Sequence, residues 1–218
     1  MKQLSQIHQV ELTSRCNLRC KYCVHHSMAR QKMDMTRETF ERVLELVSGF
    51  PEQHELNLCG IGESTLHPQF CEFVALARER LPNIDLTMAT NGVGLTEEHA
   101  AQMAASRVRV WVSLHRPEKA SLAIELLKRY GVLSGVSADP SISAVDWAGQ
   151  VDWHVSAAPS RCMWQAQGMA IAWADGRLGT CSFDGQGTDG ALGTVWDDPA
   201  TIYIKPYSLC KNCHQTIN

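Results

Sequence analysis

Cysteines stand at positions 16, 20 and 23 in the stretch CNLRCKYC, a C-x3-C-x2-C spacing. Thiolates are soft ligands that suit zinc, copper(I) and iron–sulfur clusters. Three are one short of the four that close a structural zinc site, and an odd number makes no disulfide framework. A zinc site or a chance cluster is one reading; if the three hold three irons of a 4Fe–4S cube, the fourth iron is open to a group that is not protein. A second set, Cys162, Cys181, Cys210 and Cys213, is spaced C-x18-C-x28-C-x2-C and has the thiolate count of structural zinc. Cys59 and Cys71 stand apart and read as buried, inert thiols.

The bulk properties are those of a globular chain. Its 218 residues suit one domain or one domain with a small annex, and 44% apolar content allows a sizeable core. The net charge of −3 and the lack of a basic arm do not mark out a nucleic-acid binder, though a local patch is compatible with that total. No run of about 18 apolar residues and no charged-then-apolar start is present. A cytoplasmic protein without a membrane span is therefore expected. With no secretion signal, nine cysteines point to metal binding rather than disulfides.

Between residues 6 and 155, strand-like and helix-like segments alternate. HQVELT, HELNLC, IDLTMA, VRVWVSL, VLSGVSA and VDWHVSA read as six strands. Phe40, Val43, Leu44 and Val47 lie on one helix face after a cap at Thr36, and Phe70, Phe73, Val74 and Ala77 repeat that spacing after Pro68. A third helix starts at Thr96, and a fourth carries Ala123, Leu126, Leu127 and Tyr130 and ends at Gly131. Such alternation predicts parallel strands with right-handed crossovers. Six strands are too few for an eight-unit barrel, which needs about 250 residues. An open doubly wound sheet or a partial barrel remains. In both, chemistry belongs at the C-terminal strand ends. The cysteine triplet, GIGES, TNG and LHRP follow the first four strands in turn. The stretch GMAIAWADGRLGTCSFDG then reads as a hairpin turning at Asp175–Gly176.

CNLRCKYC resembles the C-x3-C-x2-C motif of radical S-adenosylmethionine enzymes, including the aromatic Tyr22 before the last cysteine. The resemblance implies an α/β partial (β/α)6 TIM-like barrel. It also implies a 4Fe–4S cluster held by Cys16, Cys20 and Cys23, with S-adenosylmethionine chelating the fourth iron. In that family the reduced cluster splits S-adenosylmethionine to a 5′-deoxyadenosyl radical, which takes a hydrogen atom from substrate. An external one-electron reductant such as flavodoxin or ferredoxin supplies the electron. LCGIGESTLHP looks like the family's glycine-rich segment: Gly60 and Gly62 let backbone approach the ligand, and Glu63 or nearby backbone carbonyls receive the ammonium group. Ser64 stands where the family often has proline, and with Tyr22 it is expected among the cofactor-binding residues. Asn91, Ser113, His115 and Ser137 fall where the family places residues near the ribose and carboxylate. By themselves GIGES and these strand-end residues are ordinary turns.

Following such a core, the four late cysteines look like a twitch domain, a shortened SPASM-like unit with a β-hairpin and a second 4Fe–4S cluster. The division expected is 1–156 for the barrel and 157–218 for this cysteine-rich auxiliary unit. Four thiolates leave such a cluster no open iron, which suits electron transfer or structure. His115 is the general acid/base candidate, because histidine titrates near neutrality. His25 and His26 read as solvent-facing loop residues. Arg116 and Asp139 could bind a polar substrate or be strand-end charges, and Asp184 reads as a loop charge. Trp111, Trp147, Trp153, Trp164 and Trp173 read as core or interface packing.

For the substrate, GIGESTLHP, WVSLHRPEKA and DWAGQVDW resemble compact bacteriophage proteins of this superfamily. Some of these belong to thymidine hypermodification and isomerise an aminoacyl-modified thymine. That reading is favoured here; its substrate is a small molecule or a modified nucleobase, in DNA a flipped or unpaired one. The alternative is a twitch-type dehydrogenase that oxidises an alcohol carbon of an aminocyclitol or a peptide side chain. A further alternative is a non-catalytic zinc or iron–sulfur module.

Overall fold

Apolar residues recur at helical spacing in four stretches, and each becomes a helix facing one sheet. The computed structural model describes residues 1–137, 146–153, 160–185, 187, 191–213 and 215–216. Strands β1 (Lys2–Gln3) and β2 (Gln6–Val10) precede the cysteine loop. Then α1 (Arg37–Gly49), β3 (Glu55–Asn57), α2 (Phe70–Arg80), β4 (Asp85–Thr90), α3 (Glu97–Ala105), β5 (Arg109–Val112), α4 (Pro117–Arg129) and β6 (Leu133–Val136) alternate. Beyond them lie β7 (Ser160–Arg161), α5 (Met163–Gln167), β8 (Met169–Ala172), β9 (Arg177–Gly179), β10 (Gly193–Thr194), β11 (Tyr203–Ile204) and β12 (Gln215–Thr216).

The main sheet runs β10-β9-β8-β2-β3-β4-β5-β6. From β8 to β6 every pairing is parallel, which gives the partial barrel. Helices cover its outer face: Phe40, Val43, Leu44 and Val47 of α1 and Phe70, Phe73 and Val74 of α2 are all buried, and Phe40 stacks on Phe73 at 4.6 Å. The start signals at Thr36 and Thr96 hold, and α4 gains one of its own. Thr36 Oγ1 accepts from Thr39 N, Thr96 and His99 form a capping box, and Pro117 opens α4.

The sixth parallel strand is not the one expected. Residues 151–153 form a bend, and the rest of VDWHVSA lies outside the described residues. Instead β8 pairs parallel with the other edge of β2. Its sequence MAIA suits that place, because Ala170, Ile171 and Ala172 are buried and a strand covered on both faces reads as a continuous apolar run. The expected hairpin does form, β8 with β9, turning where Gly176 takes φ +82°. It is thus an extension of the barrel sheet rather than a detached sheet.

One buried ion pair ties this extension to the barrel. Glu11 follows β2 and is 0% exposed. Its Oε2 accepts from Arg30 at 2.8 Å and from Ile61 N at 3.1 Å, and its Oε1 accepts from Ala174 N at 3.3 Å. Arg30 also donates through Nε to Gly185 O at 2.8 Å and lies over the buried Trp173 ring. Removing one partner of a buried pair costs about 3–5 kcal/mol. Glu11→Gln is expected to lower stability by an amount of that order in urea unfolding followed by circular dichroism, and Arg30→Met added to it should recover part of the loss.

Candidate functional site

Four loops converge where the parallel strands end. They enclose a cavity of about 330 Å³ lined by Cys16, Cys20 and Cys23 from the loop after β2. Gly60, Gly62 and Glu63 reach it after β3, Asn91 after β4, and Ser113 and His115 after β5. Among the described residues no three His, Cys, Asp or Glu side chains converge on a single-ion site.

Hydrogen bonds between loops set the cavity walls. Tyr22 Oη lies 2.9 Å from His115 Nδ1, and the two rings stack at 5.7 Å. Trp147 Nε1 donates to Tyr22 O at 2.8 Å, which brings the 146–153 segment over the cysteine loop. Trp147, Ala148 and Gly149 all take positive φ, 54°, 59° and 83°, a left-handed turn that non-glycine residues adopt only under constraint. Asn91 Nδ2 donates to Asn17 Oδ1 at 2.9 Å, and its Oδ1 accepts from Val93 N at 2.8 Å. The thiols receive N–H groups as well, Leu18 onto Cys16 and His25 onto Cys23, both at 3.5 Å. Burial pushes the Cys16 thiol up and the Cys23 thiol to about 11. A bound cation would favour the thiolate forms of these two, and a donor set of three cysteine sulfurs on one cavity fits an iron–sulfur cluster.

The glycine loop is held from below. Glu63 is 3% exposed, and its carboxylate accepts from Thr65 Oγ1 at 2.8 Å, Thr90 Oγ1 at 2.7 Å and Asn91 N at 2.7 Å. Burial raises its pKa, opposed by these hydrogen bonds. Its carboxylate fastens the β3 loop to the end of β4. Gly60 and Gly62 line the cavity, but each also has a reason inside the protein. A Cβ on Gly60 would stand 2.4 Å from the Glu11 side chain, and one on Gly62 would stand 2.2 Å from Thr13 O.

Several expected residues lie elsewhere. Ser64 is buried with its hydroxyl donated to Leu58 O at 2.7 Å and does not line the cavity. Ser137 follows β6 outside the cavity lining, with its hydroxyl buried and, among the described residues, without a hydrogen-bond partner. His25 is not solvent-facing: it is buried, lines the cavity and holds Ser14 O at 3.0 Å, whereas His26 is exposed. Cys59 also lines the cavity, its thiol held protonated by burial at about 12. Cys71 is half-buried against the core. Asp184 is buried, Arg116 is exposed, and Asp139 lies outside the described residues. Among the tryptophans Trp173 is fully buried; Trp147 and Trp153 pack against the small buried cluster of Val24, Met28, Ile61 and Val151, with Trp147 also lining the cavity and Trp153 on Tyr22, and Trp111 is 38% exposed. Asn17, Thr90, Glu11 and Trp147 were not legible as site residues, because nothing in their local spacing distinguishes them.

All four late cysteines line a second cavity of about 110 Å³ with Trp164, Phe183 and Tyr207. Tyr207 Oη lies 2.8 Å from Cys181 Sγ, and Gln165 Nε2 donates to Cys210 Sγ at 3.4 Å. Burial pushes the Cys181 thiol to about 11. The two cavities are neighbours. Trp147 of the first and Phe183 of the second are in ring contact at 5.7 Å, and Gln150 donates to the carbonyls of both.

These features are those of a cluster-binding partial barrel, and residues 10–158 match the Radical SAM superfamily. The chain belongs to that superfamily, whose cofactors are a 4Fe–4S cluster and S-adenosylmethionine. It is similar to the tungsten-containing aldehyde ferredoxin oxidoreductase cofactor-modifying protein of Pyrococcus furiosus, at 32% identity over 146 residues, 66% of this chain and 40% of that protein. It is also similar to a GTP 3′,8-cyclase of Paenarthrobacter nicotinovorans, at 33% identity over 110 residues, 49% of this chain and 30% of that one. The matches thus span less than half the length of these curated relatives. Among solved structures, BtrN in complex with AdoMet and 2-DOIA superposes with TM-score 0.74 at 20% identity, over 89% of this chain and 80% of that one. Native anSMEcpe with bound AdoMet and Cp18Cys peptide superposes with TM-score 0.62 at 16% identity, over 89% and 78%. At these identities the likeness is one of fold. Among the described residues no helix is long and apolar enough to cross a membrane.

The glycine contacts make the loops interlocking. Gly62→Ala is expected to cost about 1–3 kcal/mol by overpacking, since backbone oxygens cannot step aside. It should also lower the iron bound on anaerobic reconstitution. Wild-type stability with full iron would show that the loops are not interlocked.

Proposed function

We propose that Cys16, Cys20 and Cys23 bind the superfamily's 4Fe–4S cluster and that S-adenosylmethionine lies in the adjoining 330 Å³ cavity. When bound, these cofactors supply a 5′-deoxyadenosyl radical that abstracts a substrate hydrogen atom. The observation that carries this reading is the convergence of three thiols and four strand ends on one cavity. Gly60, Gly62, Asn91 and Ser113 are placed to meet polar groups of S-adenosylmethionine, with Tyr22 as an aromatic wall. Glu63 acts as a positioning residue, because its carboxylate is engaged with Thr65, Thr90 and Asn91. His115, held by Tyr22, is the general acid/base candidate. Residues 1–156 form the radical unit and residues 157–218 the auxiliary unit, in which Cys162, Cys181, Cys210 and Cys213 hold a second 4Fe–4S cluster. A flavodoxin or ferredoxin is the external reductant, and the setting is cytoplasmic.

The sequence stretches favour isomerisation, but the two neighbouring cysteine-lined cavities lead us to favour two-electron oxidation of a carbon bearing a hydroxyl, on an aminocyclitol or a peptide side chain. Its support is the contact of Trp147 with Phe183, which sets a second cysteine-lined cavity beside the first. Isomerisation of an aminoacyl-modified thymine is the second reading, supported by the sequence stretches that suggest it. It is redox-neutral and leaves the auxiliary site a structural role.

Anaerobic purification should yield about eight irons per chain, four for each cluster. Reduction with S-adenosylmethionine should form 5′-deoxyadenosine, and Cys16→Ala should abolish it. Four irons with one zinc would remove the auxiliary-cluster assignment. Mass spectrometry of the product separates the two outcomes: loss of two hydrogens supports oxidation, and unchanged mass supports isomerisation.

A further inference from the structure

The second cavity is more than a set of four sulfurs. Two side chains that are not ligands place hydrogen-bond donors on two of them. Tyr207 Oη lies 2.8 Å from Cys181 Sγ. In a free thiol either atom could donate, but a cluster-bound thiolate has no proton, so the tyrosine hydroxyl must donate to it. Gln165 Nε2 donates to Cys210 Sγ at 3.4 Å. The backbone N–H groups of Phe183 and Asp184 turn toward the Cys181 sulfur too.

A cluster gains negative charge on reduction. Donors aimed at its sulfurs stabilise that charge more in the reduced state than in the oxidised state, and so raise the reduction potential. We propose that Tyr207 and Gln165 tune the auxiliary cluster, holding its reduction potential above the value that four cysteines in this fold would otherwise give. The inference rests on the assignment of that cluster to Cys162, Cys181, Cys210 and Cys213. It deepens it by naming the two residues that make the site a better electron acceptor, as the oxidising reading requires.

The placement of these residues supports a specific role. Tyr207 sits three residues before Cys210, at the start of the turn that carries Cys210 and Cys213. Gln165 lies in α5, directly after Cys162. Each donor thus comes from a segment that also carries a proposed ligand, but reaches a sulfur elsewhere: Tyr207 the hairpin cysteine, Gln165 the C-terminal one. The hydrogen bonds cross between segments that the cluster also joins.

The test is a potentiometric titration of the full-length, reconstituted protein followed by electron paramagnetic resonance. The auxiliary signal is the one that added S-adenosylmethionine leaves unchanged. Tyr207→Phe keeps the ring and removes only the hydroxyl; Gln165→Leu keeps the bulk and removes the donor. Each is expected to make that signal harder to reduce, by a several-fold change in the reduced-to-oxidised ratio at fixed potential; tenfold corresponds to about 59 mV for one electron. The S-adenosylmethionine-sensitive signal should not move in either variant. If wild-type protein binds only one cluster, the underlying assignment fails and this inference with it. If two clusters bind and neither variant shifts the auxiliary potential, the assignment stands and the tuning role is overturned. If Tyr207→Phe loses the auxiliary cluster altogether, Gln165→Leu decides the matter by the same shift.

Discussion

The buried Glu11–Arg30 pair is the contact on which the arrangement of both cavities depends. Glu11 sits at the end of the strand that feeds the cysteine loop. Its carboxylate takes donors from that loop (Arg30), from the glycine loop (Ile61) and from the hairpin (Ala174). Three segments far apart in sequence are therefore held by one side chain. A buried carboxylate is costly unless its oxygens are satisfied, and here both are engaged. The requirement propagates: Gly60 must lack a side chain because the Glu11 methylene occupies that space. Arg30 in turn lies over Trp173, as does Arg177, and Gly179 leaves room for the same ring. The hairpin is thereby clamped onto β2.

That clamp explains why the two cysteine sets lie side by side. The hairpin strand β8 is a full member of the parallel sheet, so the chain beyond it returns next to the first cavity. Trp147 and Phe183 then meet at the boundary between the cavities. Positive φ at Trp147 and Ala148 marks strain stored where it orients the indole toward the cysteine loop.

Much of the barrel was legible. The helix faces of Phe40–Val47 and Phe70–Ala77, the caps at Thr36 and Thr96 and the four strand-end loops stand where periodicity and capping chemistry place them. The triplet was legible because three cysteines within eight residues are bound to lie near one another. The misses share one physical origin. Ser64 looked like a ligand residue by its place in a motif, yet its hydroxyl satisfies Leu58 O. His25 looked like a loop residue, yet it is buried against Ser14. Asp184 looked like a solvated charge and is buried. Burial is a property of the neighbours, and the neighbours come from distant segments.

By itself the sequence determined local things: the amphipathic periods, the turn at Asp175–Gly176, and a thiol triplet with a coordination position to spare. These depend on spacings of a few residues, which backbone geometry converts directly into proximity. Only the tertiary structure decided that β8 joins β2, that cysteines from 162 to 213 share one cavity, and that Tyr207 and Gln165 reach the sulfurs of Cys181 and Cys210. Those contacts span 26 to 163 residues of chain. No local rule ranks them, because they are set by which sheet edge and which buried charge the folded chain must satisfy together.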